Sequence, residues 1–243
     1  MSTIPTQAML LAAGLGTRMR PLTAETAKPL LPLGGRPLLD HALDRLRDAG
    51  VAKVVVNVHW QSQRVVEHLE AMEPPPEIII RHEDSLLETG GAVRAALDDL
   101  GPEPFFVVNG DTVWLDGPTP ALGRLAAAWD DDVDALLLVH RTFQVHAETG
   151  NGDFAMDPLG AVLRPKEREI VPYIFAGIQL LRPSLFESAP DGKFSLNLLW
   201  DRAIAAGRLR AVVHDGLWFH LSTPEDLAEA EYNLHARAVG ETT

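Results

Sequence analysis

No cysteine occurs among the 243 residues of this chain. That excludes a disulfide framework, a thiolate zinc site and a cysteine nucleophile. A long apolar run is missing too. Residues 8–13 form the longest such stretch near the start, which is far too short to span a bilayer, and no basic segment precedes it as a signal peptide requires. A protein with no membrane partner, retained in the cytoplasm, is the expectation. Basic residues are in the minority: 21 Lys and Arg face 34 Asp and Glu, for a formal charge of −13. Broad nucleic-acid binding depends on clustered cations that neutralise phosphates, so nucleic acid is excluded as a partner. Linkers rich in Gly/Ser or Pro are also absent, since the 19 Gly and 18 Pro fall singly between periodic segments. With 46% hydrophobic residues the chain can fill one large core, and a single domain over residues 1–243 is expected.

What the chain does contain is a steady alternation of strand and helix patterns. Apolar or β-branched runs at 8–13, 53–58, 77–81, 104–109 and 135–139 read as strands. Between them, 37–49, 61–69, 89–100 and 122–129 read as helices, with Gly50 and Gly101-Pro102 as stops. Such an order implies a mostly parallel sheet covered on both faces. After His140 the pattern changes. Asp157-Pro158-Leu159-Gly160 reads as a turn joining antiparallel strands at 153–156 and 161–163, so the sheet should be mixed. A strand at 172–181 and helices from 196 and 224, capped by Ser195 and Thr223, complete the reading. The fold class is α/β, a Rossmann-like doubly wound mixed sheet.

Positive charge gathers in one place against the global trend: Arg18, Arg20, Lys28 and Arg36 lie in a segment with one acid, Glu25. A small polyanion could bind there. The segment holds a glycine loop, Leu11-Ala12-Ala13-Gly14-Leu15-Gly16-Thr17-Arg18, leaving the first strand. Glycines let a backbone approach a bulky anion, and their N–H groups can point at phosphate oxygens. The dinucleotide fingerprint fails twice, because Met19 stands where a third small residue is needed and Asn57 and His59 stand where an acid is needed. A Walker A loop would require Gly-Lys-Ser/Thr, which is missing here.

The whole run through Lys28-Pro29-Leu30-Leu31-Pro32 resembles the signature of the sugar-phosphate nucleotidyltransferases. Supporting segments are Asn57-Val58-His59-Trp60, Leu87-Glu88-Thr89-Gly90-Gly91, Val108-Asn109-Gly110-Asp111, Gly152-Asp153-Phe154, Phe175-Ala176-Gly177-Ile178 and Trp218 with Thr223-Pro224-Glu225, so the resemblance extends over nearly the whole chain. It implies an enzyme that joins a nucleoside triphosphate to a sugar 1-phosphate and releases pyrophosphate. UTP with N-acetylmuramic acid 1-phosphate is the implied pair. GTP with mannose 1-phosphate or a heptose phosphate is the alternative, and a nucleotide-binding module of weak activity a second one. A nucleotide-binding half would cover about 1–110 and a sugar-binding half about 111–243. The chain lacks hexapeptide repeats, so no acyltransferase β-helix is expected behind the domain, and a monomer or weak dimer is implied.

By the same resemblance Arg18 grips the triphosphate through its forked guanidinium, Lys28 stabilises the reacting phosphates as a point charge, and Asp111 is the first metal ligand. Leu11, Ala12, Ala13, Gly14, Gly16, Thr17, Glu83 and Gly90 would surround the nucleotide. Asn109 and Asp153 would contact sugar hydroxyls, with Gly177 leaving room for the ring. The family's second metal carboxylate falls in a Trp-x-Asp segment, where this chain has Trp218-Phe219-His220. Imidazole suits Mn²⁺ better than Mg²⁺, but Mg²⁺ can complete its shell with phosphate oxygens and water. Mg²⁺ is thus the expected cofactor, Mn²⁺ an alternative. The family's Glu-Lys pair beside the sugar phosphate is missing, and Lys166 is not a convincing substitute.

Overall fold

In the computed structural model, which describes residues 4–72, 77–145 and 150–238, the apolar runs become the strands of one sheet. Along the first part lie β1 (Gln7–Leu11), 3-10 turns at Thr17–Met19 and Lys28–Leu30, β2 (Pro32–Leu33), β3 (Arg36–Pro37) and α1 (Leu38–Asp48). Then come β4 (Lys53–Val58), α2 (Ser62–Glu70), β5 (Glu77–His82), α3 (Glu88–Ala95), α4 (Leu97–Leu100) and β6 (Phe105–Asn109). The later part holds β7 (Val113–Leu115), α5 (Ala121–Ala127), β8 (Ala135–Arg141), β9 (Ala155–Met156), β10 (Val162–Leu163) and β11 (Tyr173–Leu181). α6 (Asn197–Ala205), β12 (Leu209–Val213), β13 (Leu217–Phe219) and α7 (Pro224–Ala238) follow.

Seven strands join in the order β12-β8-β11-β6-β1-β4-β5. All neighbours are parallel except β11, which runs antiparallel to both β6 and β8. The sheet is therefore mixed and mostly parallel, as the sequence implied. Helices cover both faces. On one, Leu39 and Leu43 of α1, Val65 and Leu69 of α2, and Leu122 and Leu125 of α5 pack against alternate sheet residues such as Leu10, Val56 and Val108. On the other, Val93 of α3, Leu100 of α4 and Leu199 and Trp200 of α6 meet Met9, Val55 and Val107. The buried set of α1, Leu38, Leu39, Ala42, Leu43 and Leu46, recurs at helical spacing. Full burial of each leucine stabilises by about 1.5–3 kcal/mol.

Several boundaries differ from the sequence reading, each for a physical reason. β1 stops at Leu11, because the Ala12 N–H donates to Asn57 Oδ1 (2.9 Å) and leaves the ladder. The expected helix 89–100 is broken at Ala96 into α3 and α4. β12 was not anticipated at all: it lies at the sheet edge, parallel to β8. The turn at Asp157 is as expected, with Asp157 Oδ1 accepting the Leu159 and Ala161 N–H groups at 2.8 and 2.9 Å. Thr223 caps α7, accepting the Asp226 N–H at 3.2 Å, while Asp226 Oδ2 accepts the Ser222 and Thr223 N–H groups at 2.8 Å.

A third, smaller core lies beneath the glycine loop. Met19, Leu31, Leu33 and Leu38 from the start of the chain pack there with Val113, Leu221, Leu227 and Ala230. The last helix thus underpins the first loop. No described helix is long and apolar enough to cross a membrane.

Candidate active site

The parallel strands β1, β4 and β6 end at one edge of the sheet, and the glycine loop leaves β1 over that edge, the place where open α/β sheets bind ligands. Gly16 has φ +60°, and a Cβ there would meet Thr23 Cγ2 at 2.9 Å and Lys28 Cβ at 3.1 Å. Thr23 pins the turn: its Oγ1 donates to Gly16 O (2.7 Å), and its carbonyl accepts from Trp60 Nε1 (3.1 Å). At Gly14, by contrast, an added Cβ would meet no atom of the described residues within 4 Å. The loop is anchored through Gly16 and open above Gly14, as a close-approaching anion requires.

Beneath the loop Lys28 Nζ and Asp111 Oδ2 lie 2.5 Å apart, with Lys28 nearly buried and Asp111 one-third exposed. Lys28 is aimed by its 3-10 turn, whose Pro29 is buried. Asp111 is aimed by Gly110, whose N–H donates to Leu11 O (2.8 Å); a Cβ at 110 would stand 2.9 Å from that oxygen. Leu11, Ala12, Ala13, Gly14, Gly16, Thr17, Arg18, Lys28, Glu83, Asn109 and Asp111 line one cavity of about 410 Å³. Arg18 is exposed. Eleven positions chosen from the sequence therefore converge.

Glu83 braces the loop from the side. Its Oε1 accepts from Asn57 Nδ2 (2.7 Å) and its Oε2 from the Leu87 N–H (3.0 Å), while Asn57 Oδ1 holds the Ala12 N–H. Each carboxylate oxygen keeps a further lone pair for a ligand donor. Asn57 also lines the cavity; its segment carried the family resemblance, but the residue itself had no role assigned from the sequence. Lys193 was missed as well: it enters the cavity wall from a loop before α6 and lies 3.5 Å from Glu88.

Two further glycines are tightly enclosed by neighbouring groups. The Gly90 N–H donates to Phe194 O (2.9 Å), and a Cβ there would stand 2.3 Å from the Phe194 ring. Gly90 is thus a close-packing position behind the wall, with its amide already engaged. At Gly177, on the irregular stretch of β11 between Phe175 and Ile178, a Cβ would lie 2.1 Å from Thr112 Oγ1 and 3.1 Å from Asn109 Nδ2. It makes room for those side chains.

A second cavity of about 230 Å³ shares Thr89 and Asn109 with the first. Asp153 lies in its wall, and Asp153 Oδ2 accepts the Phe175 N–H at 2.9 Å. Arg164, Gln179, Asn197 and Trp200 line it too. None of these had been selected from the sequence.

His220 arrives by the pairing of two short strands. Val113 faces Phe219 in the β7–β13 ribbon, so the next positions outward are Thr112 and His220, and Asp111 follows. Burial lowers the His220 pKa from its ordinary value; Asp226 opposes this, Arg18 and Lys28 reinforce it, and Asp111 opposes it. The ring is neutral at pH 7 and can act as a nitrogen donor. Among the described residues no cluster of three or more His, Asp or Glu side chains is arranged to hold a metal ion. His220 lines a separate cavity of about 300 Å³ with Trp218 and Asp226, not the one that holds Asp111, so the Asp111 carboxylate fits a hard cation only if phosphates and water supply most of its ligands.

The same ribbon is clipped by His214. Its Nε2 lies 3.1 Å from both Leu115 O and Leu217 O, while its buried Nδ1 has no partner among the described residues. A proton on Nδ1 would be a buried, unsatisfied charge, and burial accordingly lowers this pKa, helped by repulsion from His140.

A strand-end glycine loop over a lysine–carboxylate pair defines an NTP-binding transferase site, and the comparisons agree. Residues 8–215 match the MobA-like NTP transferase domain, and the chain belongs to that family. It is 41% identical over 239 residues to the N-acetylmuramate α-1-phosphate uridylyltransferase of Caulobacter vibrioides, covering 96% of this chain and 99% of that one. It is 34% identical to the enzyme of the same name from Neisseria meningitidis, over 93% of this chain and 96% of that one. The fold is shared with UDP-glucose pyrophosphorylase complexed with UDP-glucose, at a TM-score of 0.79, 17% identity, and coverage of 95% and 98%.

Proposed function

We propose that this chain transfers a uridylyl group from UTP to N-acetylmuramic acid 1-phosphate and releases pyrophosphate, a step in the recycling of cell-wall sugars in the cytoplasm. The observation that carries the reading is the Lys28–Asp111 pair beneath the glycine loop, in a cavity that adjoins a second one suited to a sugar. The relatives at 41% and 34% identity support the substrate pair.

In this reaction an oxygen of the sugar phosphate bonds to the α-phosphorus of UTP. The bond from that phosphorus to the bridging oxygen breaks, and the electron pair leaves with pyrophosphate. Little covalent work falls to the protein, which must position two anions and neutralise growing charge. Loop amides from Ala13 to Thr17 would cradle phosphate, and Arg18 would clamp it bidentately. Lys28, already oriented by Asp111, would supply positive charge at the reacting phosphates without reorganising. Asp111, together with substrate phosphates and water, would hold Mg²⁺, which supplies Lewis-acid neutralisation of the phosphates when bound. Glu83 and the backbone of residues 11–14 would meet the uracil, and Asn109 and Asp153 the sugar.

Pyrophosphate release from N-acetylmuramic acid 1-phosphate, with each NTP and with Mg²⁺ or Mn²⁺, tests the proposal. Turnover is expected with UTP and Mg²⁺. Turnover with GTP and none with UTP would overturn the base assignment, and silence under every condition would overturn the reaction.

A further inference from the structure

N-acetylmuramic acid differs from N-acetylglucosamine by one lactyl group, which adds a carboxylate. We infer that Arg164 selects for that carboxylate, and this inference rests on the uridylyltransferase reading above. Arg164 lines the cavity that adjoins the nucleotide site through Thr89 and Asn109. A sugar whose 1-phosphate lies near Lys28 can therefore extend into it.

The guanidinium is held in place by its surroundings. Its Cζ lies 4.8 Å from the centroid of the Phe154 ring and 5.9 Å from that of Trp200. Nε donates to Asp201 Oδ1 and Nη2 to Asn197 Oδ1, each at 2.7 Å. Nη1 has no partner among the described residues, so donors remain for an incoming carboxylate. Phe154 is fully buried and Trp200 nearly so, which gives the cation an apolar backing and strengthens its attraction for an anion. Asp201 is more than half exposed, and an ion pair of that kind holds its arginine weakly. Asp153 supplies the opposite polarity: with Oδ2 on the Phe175 N–H, its other oxygen can accept from a hydroxyl or an acetamido N–H. The cavity thus offers a donor fork for a carboxylate and a separate acceptor for the neutral part of the sugar. A sugar without the carboxylate would leave the fork unused.

The test is calorimetric binding of UDP-N-acetylmuramic acid and UDP-N-acetylglucosamine to the full chain and to Arg164→Gln, Arg164→Lys and Asp201→Asn. The wild type should prefer the muramic product by about tenfold or more. Arg164→Gln should weaken that product about ten- to hundredfold and leave the other within about twofold. Arg164→Lys should retain part of the preference, since it keeps the charge but loses the fork. Asp201→Asn, which frees the guanidinium, should tighten the muramic product about two- to fivefold. Equal losses for both products in Arg164→Gln would mean a phosphate contact or a purely structural role and would overturn the inference. So would equal binding of both products by the wild type, even if the proposed reaction holds. Binding of neither would overturn the uridylyltransferase reading itself.

Discussion

Replacing Gly177 with alanine would separate two meanings of that glycine. The new Cβ would stand 2.1 Å from Thr112 Oγ1, well inside contact, on a backbone with φ +78°. The left-handed conformation costs alanine about 1–2 kcal/mol, and overfilling a packed site costs about 1–3 kcal/mol. A loss of about 2–5 kcal/mol follows, or about 4–20 °C in Tm for a chain of this size. Urea unfolding measures it. In a Thr112→Ala background the hydroxyl is gone and the nearest neighbours become Asn109 Nδ2 at 3.1 Å and Cβ of residue 112 at 3.2 Å, which can yield by a few tenths of an ångström. Gly177→Ala should then cost only the backbone term, giving a coupling of about 1–3 kcal/mol between the two sites. Because Asn109 and Thr112 flank Asp111, the single variant should also lower kcat. A variant of wild-type stability with a raised KM for the sugar phosphate alone would refute this reasoning and restore the idea that Gly177 faces the ring.

Lys28→Met should lower kcat for pyrophosphate release by about 10²–10³-fold, as loss of a preorganised charge does elsewhere; a change below about threefold would remove Lys28 from the chemistry. Gly90→Ala, which drives a Cβ to 2.3 Å from Phe194, should cost about 1–3 kcal/mol in urea unfolding while the folded protein keeps its UTP affinity. Lost affinity at full stability would instead place Gly90 on the base. His214 should make the fold acid-sensitive. Unfolded, it takes a proton near the ordinary value of 6.5; folded, it does so only at lower pH. Between those limits the unfolded chain binds more protons, so stability is full above about pH 6.5 and falls as pH drops. Urea midpoints from pH 7.5 to 5.5 should fall less steeply in His214→Gln, and identical slopes would show that His214 does not carry the effect.

The strongest signals in the sequence were the periodic ones. The buried runs of β1, β4, β6 and β8 and the leucines of α1 announce themselves because burial on a sheet or helix face leaves a repeating trace. The glycine loop was legible because a phosphate cradle calls for glycines close together after a strand, and Lys28 and Asp111 through the family resemblance of the segments that carry them. β12 was hidden because Arg210 interrupts a short run at the sheet edge, and β7 and β13 because three residues are too few to show a period. Gly90 and Gly177 could be recognised as glycines under constraint. What constrains them, Phe194 and Thr112, lies far away along the chain and close only in space. Arg164 escaped notice for the same reason: its aromatic backing comes from Phe154 and Trp200, on either side of it in sequence.

The reversed central strand sets an order on biosynthesis. β6 pairs with β1 on one side and with β11 on the other, and β11 also supplies the partner for β8. As the chain leaves the ribosome, the four-strand half ending in β6 can assemble early, but its last strand keeps a bare, almost wholly apolar edge until Tyr173–Leu181 has been made. An edge of that kind invites pairing with other chains. The nascent protein is therefore most exposed to aggregation in the interval between those two strands, and a ribosome stalled there would display a sticky half-sheet rather than a finished nucleotide site.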